Sequence, residues 1–78
     1  MKKILVIGAG RSSTSLIDYL LNNSERENWK VKVGDISQGL AQQKIANHKN
    51  ATAIAFDINN EQQRKQEIQE ADLVISML

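Results

Sequence analysis

The sequence lacks cysteine and proline, has a single histidine, and contains only one tryptophan, one tyrosine and one phenylalanine. Without cysteine, disulfide frameworks, thiolate zinc sites and thiol catalysis are all excluded. His48 is the only imidazole, so a histidine-rich metal cluster is excluded as well. The sequence therefore offers no constellation of metal ligands.

The chain of 78 residues also lacks an excess of charge and a long hydrophobic run. Ten lysines and arginines against nine acidic residues leave a net charge of +1, and the basic residues are scattered, which argues against a nucleic-acid surface. A membrane-spanning helix needs about 20 apolar residues, and no segment approaches that length. The apolar run before Gly8 is too short for a signal peptide. We therefore expect no nucleic-acid or membrane partner and a cytoplasmic location.

Apolar runs and amphipathic segments alternate along the chain. Strands are predicted at Lys3–Gly8, Trp29–Asp35, Ala51–Phe56 and Asp72–Leu78. Helices are predicted from Ser12 to the polar stretch Asn22–Asn28, over Ser37–Lys49 and over Glu61–Glu70. This β-α-β-α-β-α-β order predicts an α/β fold, a partial Rossmann-like doubly wound parallel sheet with strand order 3-2-1-4.

The fourth predicted strand is strongly apolar, and no helix follows it in this sequence. A buried-type strand left at an open edge is an aggregation hazard. We therefore expect residues 1–78 to be the amino-terminal part of a dinucleotide-binding domain. The substrate and catalytic domain would be absent from this chain.

Two glycines separate the first predicted strand from the first predicted helix, in Gly8-Ala9-Gly10-Arg11-Ser12-Ser13. This is the context of the dinucleotide fingerprint G-x-G-x-x-G, with Ser13 in place of the third glycine. Gly8 permits the tight turn, and Gly10 lets a pyrophosphate approach the helix start. Ser12 and Ser13 offer hydroxyls to phosphate oxygens, and Arg11 is either a phosphate contact or a solvated side chain. The alternative is a turn that needs glycine only for its backbone geometry.

Asp35 ends the second predicted strand and follows Gly10 by 25 residues. The usual spacing is about 20, and the polar stretch Asn22–Asn28 accounts for the difference. A carboxylate there accepts hydrogen bonds from both adenosine ribose hydroxyls and repels a 2′-phosphate, which predicts NAD in preference to NADP. Ser37 leaves NADP open. The alternative interpretation is an N-cap of the second helix, served by Asp35 or Ser37.

Residues after the other strands complete the predicted cofactor site. Asp57 follows the third strand, where its carboxylate would accept from the adenine amino group while Ile36 and Ile58 pack on the ring. The alternative for Asp57 is a cap or loop residue. Met77 ends the fourth strand beside the switch point, where backbone groups line the cofactor. His48 is interpreted as a solvated residue near the end of the second helix.

The run from Lys3 to Leu78 resembles the amino-terminal segment of the saccharopine dehydrogenase family. The resemblance lies in Ile4–Arg11, Val33–Ser37, Thr52–Ile58 and Ala71–Leu78. The first stretch is shared by many dinucleotide-binding proteins. Its combination with Phe56-Asp57 and Ile75-Ser76-Met77-Leu78 is more specific.

The resemblance implies the NAD(P)-binding segment of an oxidoreductase that acts on a carbon–nitrogen bond of an amino-acid-derived substrate in lysine metabolism. Gly8, Gly10, Ser13, Asp35 and Asp57 match the family's cofactor positions. The family's catalytic residues lie in a later domain, and no nucleophile–base pair or carboxylate dyad is visible here. We therefore expect this chain alone to be inactive and the longer parent enzyme to be a homo-oligomer.

Two other functions fit the same sequence. One is a regulatory NAD-sensing domain of the kind that gates potassium transport, which shares the glycine turn and the acidic residue after the second strand. The other is a different Rossmann dehydrogenase or a sugar epimerase. Sequence beyond Leu78 would discriminate among them, because only an enzyme needs a substrate domain.

Overall fold

Four apolar segments pair as parallel strands in a computed structural model that describes residues 1–78. The strands are β1 Lys2–Ile7, β2 Trp29–Asp35, β3 Ala51–Ala55 and β4 Leu73–Ser76. Their spatial order is β3-β2-β1-β4, which confirms the predicted topology. The register aligns Ile7 with Gly34 of β2 and with Ser76 of β4, so the carboxyl ends of the strands meet at one edge.

Three helices connect the strands: α1 Thr14–Glu27, α2 Gln38–Ile45 and α3 Glu61–Glu70. A short 3₁₀ turn, Arg11–Ser13, leads into α1. The chain moves outward from β1 to β3 and then returns to β4, so right-handed crossovers place α1 and α2 on one face and α3 on the other. None of the helices combines the length and the apolar content that crossing a bilayer requires.

Side chains alternate between the two faces of the sheet and form two cores. Ile4 and Val6 of β1 face α1 and α2 and belong to a cluster of eleven buried residues. Leu5 and Ile7 face the other way and form a cluster of three with Phe56. We call these the major and the minor core. The α3 helix adds no buried residue to the minor core, because its sequence is almost entirely polar.

The first helix is longer than predicted. The polar stretch Asn22–Asn28, predicted to end it, forms its last two turns up to Glu27. Ser24 is buried there, and its hydroxyl donates to the carbonyl of Leu21 at 2.8 Å, while charged neighbours face solvent. The helix ends at Asn28, whose φ of 60° is the left-handed conformation that closes many helices.

The second helix is shorter than predicted. It ends at Ile45, because Ala46 and Asn47 both adopt positive φ, and the predicted end at Lys49 is wrong. His48 therefore lies in the turn beyond the helix, where its Nδ1 accepts from the N–H of Asn50 at 3.1 Å.

The fourth strand is also shorter and less buried than predicted. It covers Leu73–Ser76 instead of Asp72–Leu78, and Leu73 is 50% exposed. The reason is its position at the edge of the sheet, where it pairs with β1 alone. An apolar composition indicates a strand, but the number of neighbours decides how far that strand is buried.

Candidate functional site

The glycine turn follows β1 at the carboxyl edge of the sheet. Gly8 has a φ of +107°, which side chains rarely adopt, and its N–H donates to the carbonyl of Gly34 at 2.7 Å. A Cβ on Gly8 would also lie 3.3 Å from the carbonyl carbon of Met77. The conformation therefore requires glycine at this position, and the close approach of Met77 adds to that constraint.

Backbone donors are left free where the turn enters the 3₁₀ segment. The N–H groups of Gly10, Arg11 and Ser12 take no part in the hydrogen bonds that fix the turn. All three residues are exposed, and a Cβ on Gly10 would meet nothing within 4 Å. Free N–H groups at the start of a helix attract anions. The structure therefore leaves both the donors and the space that a pyrophosphate needs.

The Asp35 carboxylate lies beside this turn. Its Oδ2 accepts from the N–H of Ala9 at 2.8 Å, and its Oδ1 accepts from the N–H of Ser37 at 2.9 Å. Each carboxylate oxygen retains a second lone pair, so both bonds are compatible with further donors such as ribose hydroxyls. The N-cap of α2 is Ser37, whose Oγ accepts from the N–H of Leu40. Ser37 therefore caps α2, and Asp35 is not required as its N-cap.

A groove of about 200 Å³ runs along the carboxyl edge next to the turn. Five predicted site residues line it, namely Gly8, Asp35, Ile36, Asp57 and Ile58. Ile36 is 78% exposed, so its side chain offers an apolar surface to whatever enters the groove. The structure thus brings the predicted ribose and adenine residues into one cleft.

Gly34 and Phe56 also line the groove and were not predicted as site residues. A Cβ on Gly34 would lie 2.8 Å from the Cβ of Phe56, a distance that real structures do not show. The sequence signal was the glycine inside an otherwise regular strand, which marks a close approach by another group. Here that group is the side chain of Phe56, which also lines the groove.

The carboxylate of Asp57 is partly engaged by its own loop. Its Oδ1 accepts from the N–H of Asn59 at 2.9 Å, which closes a tight turn before α3. The cap of α3 is Asn60, whose Oδ1 accepts from the N–H of Gln63 at 3.0 Å. Asp57 is therefore a loop residue at the groove and does not cap the helix.

The other predicted site residues lie outside the groove. Arg11 and Ser12 are exposed at the helix start, whereas Ser13 is fully buried beneath the turn. The Ser13 hydroxyl, predicted to reach phosphate, donates instead to the carbonyl of Gly8 at 2.9 Å. The Met77 N–H donates to the carbonyl of Ile7 at 2.8 Å, and its side chain packs on the major core.

A second groove, of about 300 Å³, lies near the opposite edge of the sheet beside α3. Lys32 and Glu67 line it and pair with each other at 2.8 Å. In open α/β sheets, ligands bind outside the carboxyl ends of the strands. The smaller groove is therefore the candidate site despite its size.

The strand order and the helix placement put the chain in the Rossmann-like class of dinucleotide-binding domains. A family model described as "Saccharopine dehydrogenase NADP binding domain" matches residues 4–78. The chain belongs to this family, and NAD(P) is the cofactor class that the family binds. A search of curated protein sequences finds no match.

Two solved structures are similar in fold. Apo saccharopine dehydrogenase (L-Glu forming) from Saccharomyces cerevisiae superposes with a TM-score of 0.85 at 23% identity, covering 100% of this chain and 17% of that one. A dTDP-glucose 4,6-dehydratase from Bacillus anthracis str. Ames in complex with NAD gives 0.74 at 21% identity, covering 100% of this chain and 27% of that one. The chain thus spans only a small part of either protein, and the likeness shows the fold.

Proposed function

We propose that this chain is the dinucleotide-binding part of a longer oxidoreductase of the saccharopine dehydrogenase type. The observation that carries the proposal is the row of free N–H groups at Gly10, Arg11 and Ser12, next to the Asp35 carboxylate. Together these supply donors for a pyrophosphate and acceptors for a ribose. The family match to residues 4–78 supports the same ligand class.

The residues present fit the adenosine half of the cofactor. The pyrophosphate would lie over Gly10, where no atom of the chain comes within 4 Å of an added Cβ. The ribose would lie against Asp35, and the adenine would enter the groove between Ile36 and Ile58, with Asp57 near its amino group. The cofactor supplies hydride-transfer chemistry when bound, and this chain holds and orients it.

We infer that NAD is preferred over NADP, although the family is described as NADP-binding. Both oxygens of Asp35 are anchored by backbone N–H groups, so the carboxylate cannot easily turn away from the ribose. A 2′-phosphate would face this fixed negative charge. The nearest downstream lysine is Lys44, and its Nζ is bound to the hydroxyl of Thr14 on α1. Lys44 is therefore held by α1 and is not free to neutralise a phosphate beside Asp35.

The substrate chemistry belongs to the proposed parent enzyme. We propose that it acts on a carbon–nitrogen bond of a saccharopine-like substrate in lysine metabolism, as the family resemblance suggests. In the candidate groove, Asp35 and Asp57 each accept from backbone N–H groups, and in the second groove Lys32 pairs with Glu67. We therefore propose that residues 1–78 alone bind cofactor but do not turn over substrate.

Substitution of Gly10 by valine tests the site. A Cβ at Gly10 meets nothing in the chain, so Gly10→Val should fold normally while its side chain fills the pyrophosphate position. We expect the Kd for NAD, measured by calorimetry on the full-length protein, to rise at least about tenfold, which is roughly 1.4 kcal/mol.

Gly39→Val is the matched control. Gly39 is an exposed residue of α2, and outside the helix's own backbone its Cβ would find no atom closer than 4.0 Å. This control should leave the Kd unchanged. Equal affinity in Gly10→Val and the wild-type protein would exclude the turn as the pyrophosphate site.

Substitution of Asp35 by serine tests the cofactor preference. Serine cannot accept from both ribose hydroxyls and has no charge to repel a phosphate, so the ratio of the NADP Kd to the NAD Kd should fall by about tenfold or more. Both affinities should also fall, because the contact with Ala9 is lost. A wild-type preference for NADP, or a ratio that ignores the substitution, would contradict the proposed role of Asp35.

A further inference from the structure

We propose that Ser13, which does not face the groove, is a positioning residue that sets the affinity of the glycine turn for a pyrophosphate. This inference rests on the proposed function. The Ser13 side chain is 0% exposed, and its Oγ donates to the carbonyl of Gly8 at 2.9 Å. The bond joins the end of the turn to its beginning, five residues apart.

One peptide unit receives two of the turn's hydrogen bonds. The carbonyl of Gly8 accepts from Ser13, and the N–H of Ala9, which belongs to the same peptide unit, donates to Asp35 Oδ2 at 2.8 Å. A peptide unit is planar, so these two bonds on opposite sides fix its orientation. Ser13, which directly precedes α1, and Asp35, at the end of β2, therefore hold this peptide plane from opposite sides.

The orientation matters because glycine allows this peptide to rotate. Gly8 already has a φ of +107°, and without a Cβ its neighbouring peptide has more than one accessible orientation. With Ser13 in place, the Gly8 carbonyl points into the protein. A rotated peptide would turn this carbonyl, a negative dipole end, toward the space where the phosphates bind. The Ser13 hydroxyl therefore favours the orientation that accepts an anion.

A third glycine at this position, as in the usual fingerprint, would lack the hydroxyl donor. Gly8 is a buried residue, and a carbonyl that loses its hydrogen-bond partner in a buried position is unfavourable. Serine thus fills the packing role of the third glycine and adds a bond that glycine cannot make.

Ser13→Ala and Ser24→Ala form a matched pair that separates positioning from stability. Ser24 is the other buried polar residue and lies in α1, which follows the 3₁₀ turn that contains Ser13. Its Oγ donates to the carbonyl of Leu21 at 2.8 Å and accepts from Nδ2 of Asn50 at 3.2 Å. Each variant removes one buried hydroxyl, so both should lower the Tm of the full-length protein, and Ser24→Ala should lower it at least as much because it loses two hydrogen bonds. Only Ser13→Ala should raise the Kd for NAD, by about three- to tenfold, since a net hydrogen bond is lost from the turn alone.

The cofactor ratio provides a second readout. NAD and NADP share the pyrophosphate, so Ser13→Ala should weaken both by the same factor, unlike Asp35→Ser. If the alanine variant does not fold, Ser13→Gly restores the usual fingerprint and should show the same loss of affinity. An unchanged Kd in the folded variant, or an equal change in Ser24→Ala, would overturn the inference. A wild-type protein that binds neither cofactor would instead overturn the proposed function.

Discussion

The two faces of the sheet differ in the number of residues that they bury. The face toward α1 and α2 buries eleven residues in the major core, whereas the face toward α3 buries three in the minor core. On the α3 side, Lys32 stands on the sheet itself and pairs with Glu67 at 2.8 Å. A partly exposed ion pair contributes about 0–1 kcal/mol, far less than an apolar cluster. The major core therefore supplies most of the stability.

The candidate groove lies beside the minor core, on the face that buries fewer residues. Ile7 and Phe56 belong to the minor core and also line the groove. No member of the major core lines it. The comparison suggests that stability and cofactor binding depend on different side chains, so that substitutions should be able to change one without the other.

The largest effect should come from the major core. Ile17 of α1 is 0% exposed, and Ile17→Ala should lower the free energy of unfolding by about 2–5 kcal/mol. Urea denaturation of the full-length protein measures this change. At a temperature where the variant remains folded, its Kd for NAD should stay within about twofold of the wild-type value. If the fold is lost, Ile17→Val makes the same comparison at a cost of about 1 kcal/mol.

A smaller effect on stability, joined to an effect on binding, is expected in the minor core. Phe56→Leu should cost roughly 1–2 kcal/mol of unfolding free energy, because the minor core has only three buried residues and leucine retains part of the ring's volume. It also removes an aromatic ring from the lining of the groove, so the Kd for NAD should rise by a few-fold. Ile17→Val, of similar cost, is the control. A Phe56→Leu variant that loses stability but keeps its affinity would break the proposed division between the two cores.

The topology and the location of the site follow from sequence pattern alone. Apolar runs and the return from the third strand to the fourth predict the order 3-2-1-4, and strand direction then brings Gly8, Asp35 and Asp57 to one edge. The spacing of apolar residues and the turn residues that end each element are local signals, and both the topology and the location of the site depend on them. The α3 helix was predicted at its observed bounds, Glu61–Glu70, because the segment lies between two predicted strands.

The remaining features depend on contacts between distant residues. The sequence shows that Ser13 has a hydroxyl near the turn, but the group to which it donates depends on where the Gly8 carbonyl lies in the fold. The hydrogen bond from Ala9 to Asp35 joins residues 26 positions apart, so local composition does not predict it. The end of α1 was misplaced because a polar stretch reads as a loop until tertiary packing buries Ser24 within it.

Two of the glycines would evolve under different constraints. A Cβ at Gly34 would collide with Phe56 at 2.8 Å, so replacement there endangers the fold whether or not any cofactor is used. Gly10 has open space around it, so only ligand binding would preserve it. In a lineage that lost cofactor binding but kept the protein, Gly10 would be replaced by other residues first and Gly34 would persist. Sequence variation at these two positions therefore distinguishes a domain that has lost cofactor binding from one that still binds its cofactor.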